Sequence, residues 1–179
     1  MENEIEVNKI ARKLGNLLID NGIKFMRSAF HIEPKLFEYS EFRNMVLAKF
    51  PNTTISLMDK KYYAITFWQW KQLIDEDWTH LKKWIIDKYD CDNFAYSFSS
   101  YASQVFEINT GGVVYGIVYD KNTGKQIDYH CWNLIITKEA DNTVNFYFYE
   151  PINNLYSEYL GGDIIIGNWK YKCLSFIFF

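Results

Sequence analysis

The chain has 179 residues, 49% of them hydrophobic and 23% charged, enough to bury the core of one domain and too apolar to be disordered. A net charge of −3 without a Lys/Arg-rich patch argues against non-specific nucleic-acid binding, and no apolar run reaches the roughly 18 residues of a membrane span. Three cysteines, an odd number with no secretory leader before them, point to a reducing compartment, and we expect a cytoplasmic protein.

The first element is an amphipathic helix, with Val7, Ile10, Ala11, Leu14, Leu17 and Leu18 on one face and Asn21-Gly22 as its stop. A second helix is predicted from Pro34 to about Phe50, ahead of Pro51. "YYAITF" at 62–67 reads as a strand, and 68–89 as mostly helical. Another helix starts at Cys91 and places Phe94, Ala95, Phe98, Ala102 and Phe106 on one side. From there the period changes to two. Residues 112–120, 126–137 and 143–150 are predicted strands, followed by two more at "DIIIG" and "YKCLSFIFF". Helices first and a sheet second predict an α+β chain, without the alternation that builds a parallel sheet. No linker or repeat divides it, so we expect one domain over 1–179, with 1–60 as a helical N-terminal extension.

Within "KYDCDNFAYSF" (88–98), Asp90 reads as an N-cap and Cys91 falls in the first turn. There the helix dipole and the unpaired N–H groups favour a thiolate, whereas Asp90 and Asp92 oppose it. The same position also suits an unreactive packing cysteine. His130 shares its strand face with Trp132, Leu134 and Ile136, so it is predicted to face the core, where an imidazole needs a partner. Glu150 ends an apolar stripe of Val144, Phe146 and Phe148 and needs one too, unless it is an exposed strand end. On neighbouring strands the two would supply each other, giving a nucleophile, a base and an orienting acid. Metal binding is not expected: alternation sends His130 and Cys131 to opposite faces, and no CxxC or HxxxH spacing occurs. Cys173 reads as packing. Gly111-Gly112 and Gly161-Gly162 have turn spacing only.

"YDCDNFA" (89–95), "HCWN" (130–133) and "FYEP" (148–151), in this order, resemble a group of papain-like cysteine peptidases. The group is that of the C-terminal protease domain of the Marasmius mushroom agglutinin and its relatives. The likeness covers about Tyr62 to the C-terminus, and the separations of 39 and 20 residues are similar to the group's. It implies a papain-like fold with N-terminal helices packed on an antiparallel sheet, Cys91 as catalytic nucleophile, His130 as base and Glu150 as its orienter. Asp92 and Asn93 would shape the helix start, and Trp132 and Asn133 would brace the histidine. It admits calcium, although Asp90, Asp92 and Asn93 read better as caps, and no other cofactor is expected. "YDCDNF" is also similar to the "DCSGF" motif of NlpC/P60 peptidases, but Asp92-Asn93 replaces Ser-Gly. No glutamine stands shortly before Cys91 to serve as an oxyanion donor.

The function expected on this basis is that of a thiol-dependent hydrolase, a cysteine peptidase or amidase acting by acyl transfer on a peptide or protein substrate. The alternative is a non-catalytic binding or structural module, for which the 14 Tyr and 6 Trp would suit a protein surface. The sequence leaves the oligomeric state and the role of residues 1–60 open.

Overall fold

The computed structural model describes residues 2–179, the side chains of residues 2–8, 10 and 11 apart. It divides into two units, residues 1–32 and 33–179. The first unit is helix α1, Glu2–Phe30. It runs straight through Asn21-Gly22 and stops where His31 turns to a φ of 47°. The part of its predicted apolar face at Val7, Ile10 and Ala11 lies outside the described side chains.

The second unit begins with strand β1, Lys35–Glu38, where a helix from Pro34 was expected. Phe37 points into the core while its neighbours do not, and this alternation favours a strand. Helix α2, Tyr39–Lys49, follows, then β2, Thr54–Leu57, and β3, Lys61–Ala64, which pairs with β1. Helix α3 is Phe67–Glu76, opened by a capping box in which the Gln69 N–H donates to Thr66 Oγ1 at 3.3 Å and the Thr66 N–H donates to Gln69 Oε1 at 3.0 Å. The helical pattern expected up to Tyr89 breaks at Asp77. Its carboxylate accepts the Thr79 hydroxyl at 2.7 Å and folds the chain into a single 3-10 turn at Thr79–Leu81. Helix α4 is Cys91–Phe106 and buries Phe94, Ala95, Phe98, Ala102 and Phe106.

The remaining strands are β4 (Gly111–Asp120), β5 (Gln126–Lys138), β6 (Val144–Glu150), β7 (Leu155–Glu158), β8 (Ile164–Ile166) and β9 (Trp169–Phe178). The large sheet has the order β2-β9-β4-β5-β6-β7, with β8 beside β9. All its pairs are antiparallel except β2 with β9, which is parallel.

These observations correct the expected papain-like α+β arrangement of N-terminal helices on an antiparallel sheet. The sheet is mixed. Residues 33–60 supply two strands and the core residues Phe37, Phe42, Val46 and Phe50, so they are no helical extension. Nine strands against three α-helices among its described residues make this second unit β-rich.

Two cores flank the sheet. One face carries Trp132, Leu134 and Ile136 of β5 against Phe42 and Val46 of α2. The other carries Val113 and Cys131 against Ala95 of α4. Asn133 ties α4 down: its buried amide donates to the Ala95 carbonyl and to Ser99 Oγ, both at 2.9 Å. Asn133→Ala deletes these bonds in a buried place, so it should cost about 2 kcal/mol and lower the midpoint of thermal unfolding by roughly 5 °C. Differential scanning calorimetry checks this, and an unchanged midpoint would show that the tie does not hold the helix.

Candidate functional site

The N-terminus of α4 is built by its acidic residues. Asn93 Oδ1 accepts from the Asp90 N–H at 3.1 Å, and Asp92 Oδ1 accepts from the Asn93 N–H at 2.8 Å. Asp90 Oδ2 takes the Asp87 N–H at 3.1 Å, which fixes the approach to the helix. A hydrogen bond with Asp90 holds the Asp92 carboxyl above the usual carboxylate range. Cys91 is thereby the first helical residue and half-buried.

Opposite it, β5 outruns its neighbour. Pairing with β6 reaches only as far as Asn133 opposite Tyr149, so residues 130–132 lie on an edge that β6 leaves open. Through this edge Cys91, packed on the α4 side with Cys131, meets His130 from the strand position that shares a face with Trp132. Alternation does separate His130 from Cys131, as expected, but Cys91 sits where it touches both.

The contacts run in series. Glu150 Oε2 lies 2.6 Å from His130 Nε2, and Glu150 is 2% exposed. That engagement leaves the other ring nitrogen for Cys91. The Tyr171 hydroxyl donates to the same carboxylate oxygen at 3.2 Å, and Glu150 Oε1 accepts the Ile152 N–H at 3.4 Å. Trp132 stacks on the imidazole, with ring centroids 5.9 Å apart and planes at 23°. Asn133 does not brace His130. It serves α4, as described above.

The electrostatics follow from these contacts. A hydrogen bond from Cys131 and, against desolvation, the hydrogen bond and charge of His130 pull the Cys91 thiol down to about 4. Burial disfavours the His130 cation, yet hydrogen bonds to Cys91 and Glu150 outweigh it and raise the imidazole to about 9. Cys131 moves the opposite way: its bond to the Cys91 sulfur and its burial push that thiol up, so it stays protonated and donates. Between these values the pair exists as thiolate and imidazolium.

The site opens into a cleft of about 300 Å³ whose walls include Trp84, Ile127, Tyr129 and Trp169. A larger open depression of about 830 Å³, lined by Lys49, Tyr159 and Lys172, shares only Tyr171 with it and holds no comparable chemistry. Among the described residues no group of three or more His, Cys, Asp or Glu side chains is arranged to hold a metal ion.

Sequence reasoning missed Tyr171, Cys131 and Trp84. Cys131 carries a signal, its adjacency to His130, which by residue type alone points to a metal ligand. Tyr171 and Trp84 come from segments whose placement depends on the register of β9 and on the break after Asp77. No local pattern marks either.

Residues 35–166 match the model of the ricin-type beta-trefoil lectin C-terminal domain. The chain belongs to this family. Two similar solved structures are those of a PSL1a–E64 complex and of Polyporus squamosus lectin bound to the human-type influenza-binding epitope Neu5Aca2-6Galb1-4GlcNAc. They are 22% and 21% identical, with TM-scores of 0.55 and 0.52, and each covers 80% of this chain. The chain spans 51% and 49% of them, about half their length. At such identities the likeness speaks of fold alone. The comparison with curated proteins gives no match.

These matches correct the resemblance drawn from the three short motifs. The family reached is that of a lectin C-terminal domain, with lectins as structural neighbours, and not a group of papain-like cysteine peptidases. The fold class changes with it, and so do the expectations of a hydrolase, a thiol protease and a catalytic triad. Of the two functional expectations, the binding module is the one the matches back. A peptide or protein substrate gains no support from them. No helix among the described residues is long and apolar enough to cross a membrane.

If Cys131 holds the thiolate, Cys131→Ala should move the pH at which Cys91 becomes alkylated from about 4 toward the ordinary thiol range. Stopped-flow alkylation with peptide mapping reads that shift, and an unmoved profile would leave His130 as the sole stabilising group.

Proposed function

We propose that this domain is a lectin-type binding module that seats its ligand in the cleft beside Cys91, against an ionised thiolate. The observation that carries the reading is the unbroken series from Glu150 through His130 to Cys91. Cys91 supplies the charged sulfur on the cleft wall. His130 is its counter-ion, and Glu150, aided by Tyr171, orients the ring. In the ion-pair state the sulfur already carries its charge, so the cleft presents a fixed negative group to whatever it seats. Asp92 and Asn93 fix the helix start, and Trp132 limits rotation of the imidazole. The proposed chemistry calls on neither metal nor cofactor.

A second reading, for the class of ligand, has its own observation. Tyr129, Trp84 and Trp169 line the cleft and are 68%, 47% and 38% exposed, next to the carboxylates of Asp128 and Glu150. Exposed aromatic faces beside a few hydrogen-bonding groups suit a sugar, which presents apolar C–H faces and a rim of hydroxyls. The Polyporus squamosus lectin, whose solved structure carries a bound glycan epitope, supports that choice for its relative here.

Alkylation by iodoacetamide tests the thiolate. In the intact chain the rate should climb through about pH 4 and stay level to about 9, where His130 loses its proton. In His130→Ala the climb should move toward about 8.5, the value of a free thiol. Ordinary thiol titration in both chains would overturn the reading. Protection of Cys91 by the Neu5Aca2-6Galb1-4GlcNAc epitope would assign the cleft as the ligand seat. Titration calorimetry with the epitope, repeated on Trp84→Ala, checks the sugar reading: heat that Trp84→Ala leaves unchanged would place the sugar outside the cleft.

A further inference from the structure

Helix α1 lies outside the residues that match the family and forms a unit by itself. Leu14, Leu17, Leu18 and Phe25 are spaced along one stripe of it, and each is more than half exposed, Leu18 and Phe25 at 73%. A helix of 29 residues with such a stripe in water has little to hold it, since helical stability comes mostly from packing an apolar face.

The charges choose the partner. Lys13 and Asp20 lie seven residues apart, on the same edge of the stripe and both exposed. When two copies of α1 run antiparallel with Leu14 of one across from Leu17 of the other, Lys13 of each copy faces Asp20 of its mate. Two ion pairs then close over a central cluster of leucines. The sequence of the helix repeats this sense, from the acidic start ENEIE to Lys24 and Arg27 near its end. Parallel pairing gives no such match: across that seam the same edge sets Lys13 against Leu18 and Asp20 against Phe25. We propose that α1 is a self-association element, joining two copies of this chain through an antiparallel helix pair centred on Leu14 and Leu17. This inference is independent of the function proposed for the cleft.

Sedimentation velocity on the full chain across the micromolar range tests it. The expected result is a species of twice 21.4 kDa. Leu17→Lys should convert it to monomer. Lys13→Glu and Asp20→Lys, each of which sets two like-charged pairs face to face, should each weaken the dimer by about tenfold, and the combined chain K13E/D20K should regain the original affinity. All three positions are exposed, so the rest of the fold is spared. A monomeric parent chain, or a dimer indifferent to Leu17→Lys, would overturn the proposal. Failure of the double variant to rescue would overturn the antiparallel pairing.

Discussion

A carboxylate that is 2% exposed and surrounded by aromatic rings persists only if its charge is answered, and the site is arranged round that constraint. Glu150 ends β6, directly after the buried Phe148 and Tyr149, and lies away from water. It is answered by the His130 ring at 2.6 Å and the Tyr171 hydroxyl at 3.2 Å, drawn from β5 and β9. Leaving such an acid unpaired would be strongly destabilising, so the carboxylate dictates where the imidazole points. The imidazole then has one nitrogen left, and Cys91 takes it. Each step narrows the freedom of the next, and a thiolate is the last product of the series.

The sheet contributes by what it omits. Had β6 paired with β5 down to His130, the strand edge would be closed and Cys91 could reach only Cys131 on its own face. Ending the ladder at Asn133 opens the edge just where α4 begins. On the other side of β5, Gly116 stands opposite His130, and any Cβ there would collide with the Lys172 carbonyl and the Trp132 ring. The bare backbone at this position lets Trp132 lie flat beneath the histidine.

Local chemistry was legible in the sequence, and the fold was not. Asp90 before Cys91 marks a helix start, period-two alternation marks β5 and β6, and His130 and Glu150 stand out as polar groups at the ends of apolar stripes. These are short-range signals, and many architectures can host the same trio. That is why three motifs led to the wrong family. The missed elements are those whose identity is settled at long range. β1 looks like a helix start because Pro34 suits either reading, and only its pairing with β3 decides. β2 has four residues and joins the sheet in parallel through β9, more than a hundred residues away. Asn133 reads as a neighbour of the histidine until strand alternation turns it toward Ala95 and Ser99.

The boundaries of the family match bear on how the unit is held together. Residues 35–166 contain Cys91, His130 and Glu150 but stop before β9. β9 lies between β2 and β4 in the sheet, so it cannot be an appendage. It brings Phe176 and Phe178 to the core and Tyr171 to Glu150. A chain cut at residue 166 would expose the edge of β4 and leave β2 without a neighbour. It would also take away one of the two side chains that answer the buried carboxylate. Cys91, His130 and Glu150 would all remain in such a fragment, without the strand whose Tyr171 holds Glu150. The unit that carries the site therefore extends beyond the matched residues, through Phe178.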